Sequence, residues 1–247
     1  MKTTLVFLHG FLESAEMWDG FTVPFAADYN VICLDLPGHG SAPVIAENHT
    51  MSVIADYVVK ELEHRSIERA IFVGHSMGGY VSLEIGKKYP DMVKGISMFF
   101  SSAAQDAPGK KKDRDRAARV VEKNHSIFIR EAIPYLFTAE NKIRLEKQIQ
   151  KEVEIALQTP REGILACLRG MRDRENNVSF LDAAPFPIQY VVGKKDPVIT
   201  MDSLDQQLSA RSVKDVEIID DCGHMGHLED PEICTLALFR FFESIQN

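Results

Sequence analysis

Six short apolar segments, separated by stretches with helical periodicity, constrain the fold of this 247-residue chain more than any other feature. The segments are nearly continuous runs of hydrophobic residues, which is typical of strands buried on both faces of a sheet. Because helical stretches lie between them, we predict a doubly wound, mostly parallel α/β sheet covered by helices on both faces. The predicted strands are residues 3–8, 30–35, 70–74, 95–101, 188–193 and 215–220.

Three stretches of helical periodicity supply the layers that would cover this sheet. Residues 50–65 place their apolar side chains on one stripe, and Thr50 or Ser52 is a suitable N-cap. Residues 77–90 end in two lysines and a proline, which is a common way for a helix to stop. Residues 228–245 have an amphipathic pattern and predict one helix at the end of the chain.

Residues 105–184 interrupt the alternation, because they contain charged amphipathic helices and no convincing strand. We predict that this segment forms a helical cap inserted into the α/β core. The core would then consist of residues 1–104 and 185–247. The basic run at residues 109–116 is interpreted as a solvent-exposed helix start and not as an anion site.

Charge and composition limit the partners of the chain. Its formal net charge of -8 gives an acidic surface that repels phosphate groups, so we expect no nucleic-acid partner and no membrane partner. The first residues lack the pattern of a secretory signal, and the four cysteines are widely spaced, so we expect a cytoplasmic protein. Monomer and homodimer both stay open.

The segment GHSMGG at residues 74–79 lies between a predicted strand and a predicted helix. It matches the G-x-S-x-G pattern, in which a serine occupies a sharp strand-to-helix turn and projects its hydroxyl beyond the sheet. Gly74 and Gly78 would prevent collisions within this turn. Ser76 would lie at the helix N-terminus, beside the N–H of Met77. In this context the pattern predicts a nucleophilic serine.

A serine hydroxyl needs a base to take its proton, and the base needs an orienting acid. Asp196 follows the predicted strand at residues 188–193, and His224 follows the last predicted strand. The carboxyl ends of parallel strands meet at one edge of the sheet, where ligands bind. The chain order Ser76, Asp196, His224 is the order that a nucleophile in such a turn requires. We therefore predict that these three residues form a catalytic triad.

The ordered motifs FLHGF, LDLPGHG, GHSMGG, GKKDPV and CGHMGHLEDP cover nearly the whole chain and resemble the α/β-hydrolase superfamily, in particular its lidded, esterase-like bacterial members. The resemblance implies that Ser76 is the nucleophile, Asp196 the orienting acid and His224 the general base. It also implies an oxyanion hole formed by the backbone N–H groups of Phe11 and Met77. We therefore expect a carboxylesterase that cleaves a small-molecule ester, thioester or lactone through an acyl-enzyme, without a metal or organic cofactor.

Several residues beside these motifs are candidates for the walls of a substrate pocket. They are Leu12, Tyr80, Phe128, Phe137, Met225 and His227. Cys222, His224 and His227 have a spacing that suits metal ligands, but one cluster without a second pair of ligands does not predict a metal site. We expect apolar pocket walls, with His227 as their polar part.

Two other functions are compatible with the same motifs. The menaquinone-pathway synthase family, whose members are pyruvate-eliminating lyases of this fold, has a similar first motif, a charged cap helix and a similar final motif. That family has an arginine after the last glycine of the nucleophile turn, where this chain has Tyr80. Cap arginines such as Arg114 or Arg169 could supply the charge instead. A ligand-binding receptor with an intact but slow triad is the other alternative. Tyr80 at the arginine position argues against the lyase, and an intact triad with both oxyanion donors argues against an inactive receptor.

Overall fold

Six strands form one sheet in which every neighbouring pair runs parallel. The computed structural model describes residues 2–246. The strands are β1 (Thr4–Leu8), β2 (Asn30–Leu34), β3 (Ala70–His75), β4 (Val93–Phe99), β5 (Ile188–Gly193) and β6 (Val213–Ile219). Their order across the sheet is β2-β1-β3-β4-β5-β6. The α/β fold with a parallel sheet is therefore confirmed, and each strand overlaps the segment that predicts it.

Strand β1 illustrates why these apolar runs form central strands. Leu5 and Phe7 pack among aromatic side chains on one face of the sheet, while Val6 and Leu8 pack into the larger core on the opposite face. All four side chains are 0% exposed. Full burial of an aliphatic or aromatic side chain contributes about 1.5–3 kcal/mol, so a strand that is apolar on both faces is stable only between two layers of helices.

Helices cover both faces of this sheet and the edge where the strands end. They are α1 (Met51–His64), α2 (Met77–Lys88), α3 (Pro108–Tyr135), α4 (Ala139–Arg144), α5 (Glu146–Ala156), α6 (Arg161–Arg172), α7 (Phe180–Ala183), α8 (Asp205–Leu208), α9 (Gly226–Glu229) and α10 (Pro231–Gln246). Thr50 is the N-cap of α1, because its side-chain oxygen accepts a hydrogen bond from the Val53 N–H at 3.2 Å. Within residues 2–246, no helix combines the length and the apolar composition that a membrane span requires.

The segment between β4 and β5, all of which lies within residues 2–246, forms helices α3 to α7 and contains no strand. Helix α3 bends at Asn124, whose backbone leaves the helical region with φ −160° and ψ 90°. The side-chain oxygen of Asn124 caps the second half of the helix by accepting the Ile127 N–H at 3.1 Å. Helices α3 and α6 both contribute side chains to a cavity at the carboxyl ends of the strands. These helices therefore lie over the edge of the sheet where the predicted triad residues are located.

The end of the chain differs from its predicted form. The sequence predicts one helix over residues 228–245, whereas the structure contains α9 and α10, separated at Asp230. Pro231 is the physical reason, because proline lacks an N–H and disfavours helical backbone at the residue before it. Asp230 accordingly has φ −147° and ψ 71°. The short helix α9 thus forms a separate turn that begins two residues after His224.

Candidate active site

Ser76 lies at the sharp turn between β3 and α2. Its backbone has φ +48° and ψ −110°, a conformation that residues other than glycine rarely adopt. The Ser76 N–H donates to the Phe99 carbonyl at 3.1 Å, and the Ser101 hydroxyl donates to the Ser76 carbonyl at 2.7 Å. Backbone strain of this kind costs about 1–3 kcal/mol and is concentrated at functional sites. The structure therefore gives Ser76 the geometry of a nucleophile turn.

Gly74 and Gly78 make this turn sterically possible. A methyl group on Gly74 would collide with the backbone of Gly78, and a methyl group on Gly78 would collide with the backbone carbonyl of Leu8. The obstacles are backbone atoms, which cannot rotate away as the end of a flexible side chain can. The two glycines therefore allow β1, β3 and the start of α2 to approach more closely than any side chain would permit.

His224 and Asp196 lie in the loops that follow β6 and β5. Nδ1 of His224 donates a hydrogen bond to Oδ2 of Asp196 at 2.6 Å, and neither side chain is more than 3% exposed. Oδ1 of Asp196 accepts the N–H groups of Val198 at 2.7 Å and Ile199 at 2.9 Å. Since the proton of the neutral imidazole lies on Nδ1, Nε2 of His224 is available as a base.

Ser76 and His224 line the same cavity, which has a volume of about 690 Å³. Among the hydrogen bonds of residues 2–246, none joins the Ser76 hydroxyl to His224. Such bonds are often long without a ligand and tighten when substrate binds. The structure thus places Ser76 and His224 at one cavity and bonds Asp196 to His224, with each of the three residues on a different loop.

The loop after β1 supplies the first of the two predicted oxyanion donors. The Phe11 N–H has no acceptor among the backbone and side-chain groups of residues 2–246, so it is free for a ligand. Leu12 has φ +67°, and its N–H donates to Nε2 of His39 at 3.2 Å. The Met77 N–H belongs to the first turn of α2, where a helix has no internal acceptors for its N–H groups. Phe11 lines the cavity, and Met77 directly follows the cavity residue Ser76.

Two buried histidines hold this loop in place. Nε2 of His9 accepts the Leu36 N–H at 2.9 Å, while Nδ1 of His9 donates to the Gly10 carbonyl at 2.7 Å. His39 accepts the Leu12 N–H in the same way. Burial lowers the pKa of His39 to about 3 and also lowers the pKa of His9. Both rings are therefore neutral and shape the loop, and neither lines the cavity as a second base.

The walls of the cavity are mostly apolar and come from the core and from the helices above it. Three predicted pocket residues, Leu12, Tyr80 and Phe128, contribute to them. The apolar side chains include Phe11, Leu12, Tyr80, Phe128, Leu168 and Met171. The charged side chains that α3 contributes are Lys110, Asp113, Arg114 and Glu131. These α3 side chains carry two positive and two negative charges, so their formal charges cancel.

The other three predicted pocket residues lie elsewhere. Phe137 and Met225 are 3% and 0% exposed and pack in the main hydrophobic core. His227 lies among aromatic rings behind the site, with its ring centre 5.7 Å from that of Trp18. Neither ring nitrogen of His227 has a hydrogen-bond partner within residues 2–246, and burial lowers its pKa to about 3. None of the three lines the cavity, so their placement in the pocket is wrong. The hydrophobic effect draws Phe137 and Met225 into the interior, and His227 is enclosed by aromatic rings.

Tyr80 occupies the position that follows the last glycine of the nucleophile turn. The guanidinium of Arg174 lies over its ring, 4.1 Å from the ring centre. Arg174 is 2.7 Å from a carboxylate oxygen of Asp106 and donates to two residues' backbone carbonyls. Arg114 forms a second ion pair with Asp106 at 2.8 Å through its Nε. Arg174 is thus paired with Asp106 and does not line the cavity, whereas Arg114 is paired with Asp106 and also lines the cavity.

No sequence pattern predicts a role for Glu229, which supports the loop that carries His224. Its Oε1 accepts the N–H groups of Gly223 and Met225, both at 3.0 Å. Its Oε2 accepts a hydrogen bond from the side chain of Asn141 at 2.7 Å. Because Asn141 belongs to α4, this contact exists only once the helices between β4 and β5 pack on the core. A glutamate near a helix start is too common in sequences to mark such a role.

No group of three or more His, Cys, Asp and Glu side chains within residues 2–246 is arranged to hold a metal ion. The site consists instead of a strained serine turn and a histidine–aspartate pair at the carboxyl edge of a parallel sheet. These features define the class of proteins that carry a serine nucleophile on an α/β-hydrolase fold. The chain matches the model of the alpha/beta hydrolase family over residues 5–234, and it belongs to that family.

Individual relatives differ in their names and in the length over which they match. The chain is 30% identical over 245 residues to the dihydrolipoyllysine-residue acetyltransferase component of the acetoin cleaving system of Pseudomonas putida, covering 97% of this chain and 63% of that protein. It therefore spans less than two thirds of that relative. It is 28% identical over 250 residues to the 2-succinyl-6-hydroxy-2,4-cyclohexadiene-1-carboxylate synthase of Escherichia coli, covering 96% and 94% of the two chains.

Among solved structures, a thermophilic esterase from Thermogutta terrifontis is similar throughout. The TM-score is 0.93 at 27% sequence identity, and the match covers 100% of this chain and 92% of that chain. The similarity to an esterase and the similarity to the E. coli synthase agree with the two leading interpretations of the sequence.

Proposed function

We propose that this protein is a serine hydrolase that cleaves a carboxylic ester, thioester or lactone through an acyl-enzyme. The observation that carries the proposal is the meeting of Ser76 and the His224–Asp196 pair at one cavity of about 690 Å³. A serine with an adjacent base attacks carbonyl carbon and forms a covalent acyl intermediate. Membership of the alpha/beta hydrolase family and the similarity to an esterase support this class of reaction.

The first half of the proposed reaction acylates the serine. Nε2 of His224 takes the proton of Ser76 as the hydroxyl oxygen attacks the carbonyl carbon of the substrate. Asp196 stabilises the imidazolium that forms, because its carboxylate accepts a hydrogen bond from the Nδ1–H of His224 at 2.6 Å. His224 then passes the proton to the leaving alcohol or thiol. The product of this half is an ester of Ser76.

The second half hydrolyses this ester. His224 takes a proton from water as the water oxygen attacks the acyl carbon. It then returns this proton to Oγ of Ser76 as the acyl–oxygen bond breaks, which releases the acid and restores the free serine. In both halves the carbonyl oxygen becomes negatively charged, and the N–H groups of Phe11 and Met77 would stabilise it. Removal of one such donor costs about 2.7–4 kcal/mol in comparable sites. Apart from the substrate and one water molecule, every group in this scheme belongs to the chain.

The mostly apolar cavity favours a substrate with an uncharged acyl or alcohol portion. Steady-state hydrolysis of nitrophenyl esters with increasing acyl length tests both the reaction and the size of the pocket. We expect sustained turnover by the wild type and a loss of at least about 10,000-fold in kcat for Ser76→Ala. Ser209→Ala, at an exposed serine, is the matched control and is expected to keep the wild-type rate. Full activity of Ser76→Ala would contradict the scheme.

The synthase-type lyase is a second candidate, because the match to the E. coli synthase extends over nearly the full length of both chains. That family uses an arginine where this chain has Tyr80. Arg174 lies over the Tyr80 ring but is paired with Asp106, and Arg114 is the cap arginine that reaches the cavity. The site therefore lacks a cation at the family position and supports ester hydrolysis better.

Pyruvate release separates these two candidates. The protein is given the substrate of the E. coli synthase, and pyruvate is followed with a coupled dehydrogenase. We expect no enzymatic release of pyruvate above the uncatalysed rate, together with turnover of simple esters. Rapid pyruvate release without ester turnover would favour the lyase and contradict the hydrolase.

A further inference from the structure

Glu13 and His75 form a second buried carboxylate–histidine pair that the hydrolysis scheme does not use. Oε2 of Glu13 lies 2.8 Å from Nδ1 of His75, and each side chain is 1% exposed. Glu13 ends the loop after β1, whereas His75 is the last residue of β3 and directly precedes Ser76. Both residues border the cavity that Ser76 and His224 line, but each side chain is only 1% exposed and is bonded within the protein.

The pair connects the two loops on which the reaction depends. Oε2 of Glu13 also accepts the N–H of Gly10 at 2.5 Å, one residue before the oxyanion donor Phe11. On the other side, Nε2 of His75 donates to the backbone carbonyl of His224 at 2.9 Å. A continuous chain of hydrogen bonds therefore runs from the oxyanion loop through Glu13 and His75 to the backbone of the general base.

These contacts define the protonation of His75. Both of its ring nitrogens face acceptors, one a carboxylate oxygen and the other a carbonyl oxygen. A neutral imidazole has a single N–H and would turn one lone pair towards an acceptor, so only the doubly protonated ring satisfies both contacts. Burial opposes the charge, yet the carboxylate of Glu13 outweighs it and raises the pKa of His75. Burial likewise opposes ionisation of Glu13, but His75 holds the pKa of Glu13 at about 2.

The other groups around His75 do not replace Glu13 as its partner. The ring of His227 is 5.9 Å away between centres, and burial keeps that ring neutral. The ring of His224 is 5.0 Å away between centres and is bonded to Asp196. Asp196 adds a more distant negative charge that also favours a charged His75. Glu13 is therefore the direct counter-ion.

We propose that Glu13 and His75 are positioning residues, and that their carboxylate–imidazolium pair holds the oxyanion loop and the His224 loop in the geometry that the reaction needs. This inference rests on the proposed hydrolase function. Displacement of reacting groups by about 1 Å can cost about 100-fold in rate. Because displaced reacting groups weaken transition-state stabilisation more than substrate binding, loss of the pair is expected to lower kcat and to leave KM almost unchanged.

Glu13→Gln tests this role with little change in volume. The amide oxygen can still accept the Gly10 N–H, but the side chain no longer neutralises a charged ring. We expect kcat for nitrophenyl esters to fall about 10- to 100-fold, with KM within about threefold of the wild type. His227→Leu is the matched control, since it removes a neighbouring buried imidazole that bonds to nothing within residues 2–246. Its kcat is expected to stay within about threefold of the wild type.

Nitrogen-15 NMR of the wild-type protein reports the protonation state of the His75 ring and does not depend on activity. At about pH 7, where an ordinary histidine is mostly neutral, both ring nitrogens of His75 are expected to be protonated. The signals are assigned by their loss in His75→Gln. A singly protonated His75 would overturn the proposal, as would wild-type kcat in Glu13→Gln or an equal loss in His227→Leu. Absence of wild-type ester turnover would instead contradict the hydrolase function itself.

Discussion

Asp196 holds His224 through one short hydrogen bond, 2.6 Å from Oδ2 to Nδ1. The second carboxylate oxygen of Asp196 is occupied by the backbone N–H groups of Val198 and Ile199. The carboxylate therefore cannot rotate without breaking three hydrogen bonds. This arrangement fixes both the orientation of the imidazole and the nitrogen that carries its proton, which are the two properties that a general base needs.

Asp196→Asn should remove the base without disturbing the loop. The amide oxygen can remain on the N–H groups of Val198 and Ile199, so the NH₂ group faces Nδ1 of His224. Nδ1 must then accept, and the proton moves to Nε2, which can no longer receive the proton of Ser76. We expect kcat to fall about 10,000-fold, as measured by steady-state ester hydrolysis.

Asp220→Asn is the control for this variant. Asp220 is an exposed aspartate that follows β6 and pairs with Lys194 at 2.8 Å. Its substitution is expected to leave kcat unchanged, since exposed ion pairs contribute little. If Asp196→Asn kept the wild-type kcat, His224 would not depend on Asp196 for its tautomer.

Gly78→Ala should destabilise the fold through the nucleophile turn. The added methyl group would collide with the backbone of Leu8 in β1, and overpacking of this kind costs about 1–3 kcal/mol. Gly109→Ala, in the first turn of α3, meets no atom within 4 Å and should stabilise by about 0.5–1 kcal/mol. Urea unfolding measures both free energies. Equal stability of the two variants would show that Gly78 is not under steric constraint.

Ionisation of Glu152 should lower the free energy of unfolding as the pH rises. Its side chain is buried on α5, and burial, assisted by the negative charge of Glu13, raises its pKa from 4.5 to about 7. The unfolded chain loses this proton near pH 4.5 and the folded chain only near pH 7, so the stabilisation present at low pH disappears across that interval. Above about pH 7, Glu152 is ionised in the folded protein and its charge is buried, which costs stability.

Glu152→Gln removes this penalty. At about pH 8 the variant is expected to be about 1–3 kcal/mol more stable than the wild type, and near pH 4 the two should be about equal. Glu154→Gln, at an exposed neighbour on α5, is the control and should show no such difference. The comparison uses urea unfolding at both pH values. A gain in stability that does not change with pH would contradict the assignment of the buried charge.

The sequence predicts the sheet and the triad because both depend on short stretches of chain. The continuous apolar run of β1 requires burial on both faces, and the observed burial of Leu5, Val6, Phe7 and Leu8 follows from it. Ser76, Asp196 and His224 each follow a predicted strand, and parallel strands end at one edge. The local sequence pattern is therefore enough to predict that these distant residues lie at the same edge of the sheet.

Contacts between the cap and the core cannot be predicted in this way. Phe137 and Met225 are apolar residues near the site, and only packing determines that they enter the core and leave the cavity to Phe11 and Leu168. The contact of Glu13 with His75 joins residues 62 positions apart and has no local signature. Cytoplasmic location and the choice between monomer and homodimer stay predictions from the sequence.

The most direct test of the account is the mass of the protein after treatment with a fluorophosphonate. This reagent forms a stable ester with a serine that is activated by a neighbouring base. We expect one adduct per chain, located on Ser76 by peptide mapping, and no adduct on the Ser76→Ala variant. An unmodified wild-type protein, or an adduct on another serine such as Ser101, would contradict the assignment of Ser76 as the nucleophile.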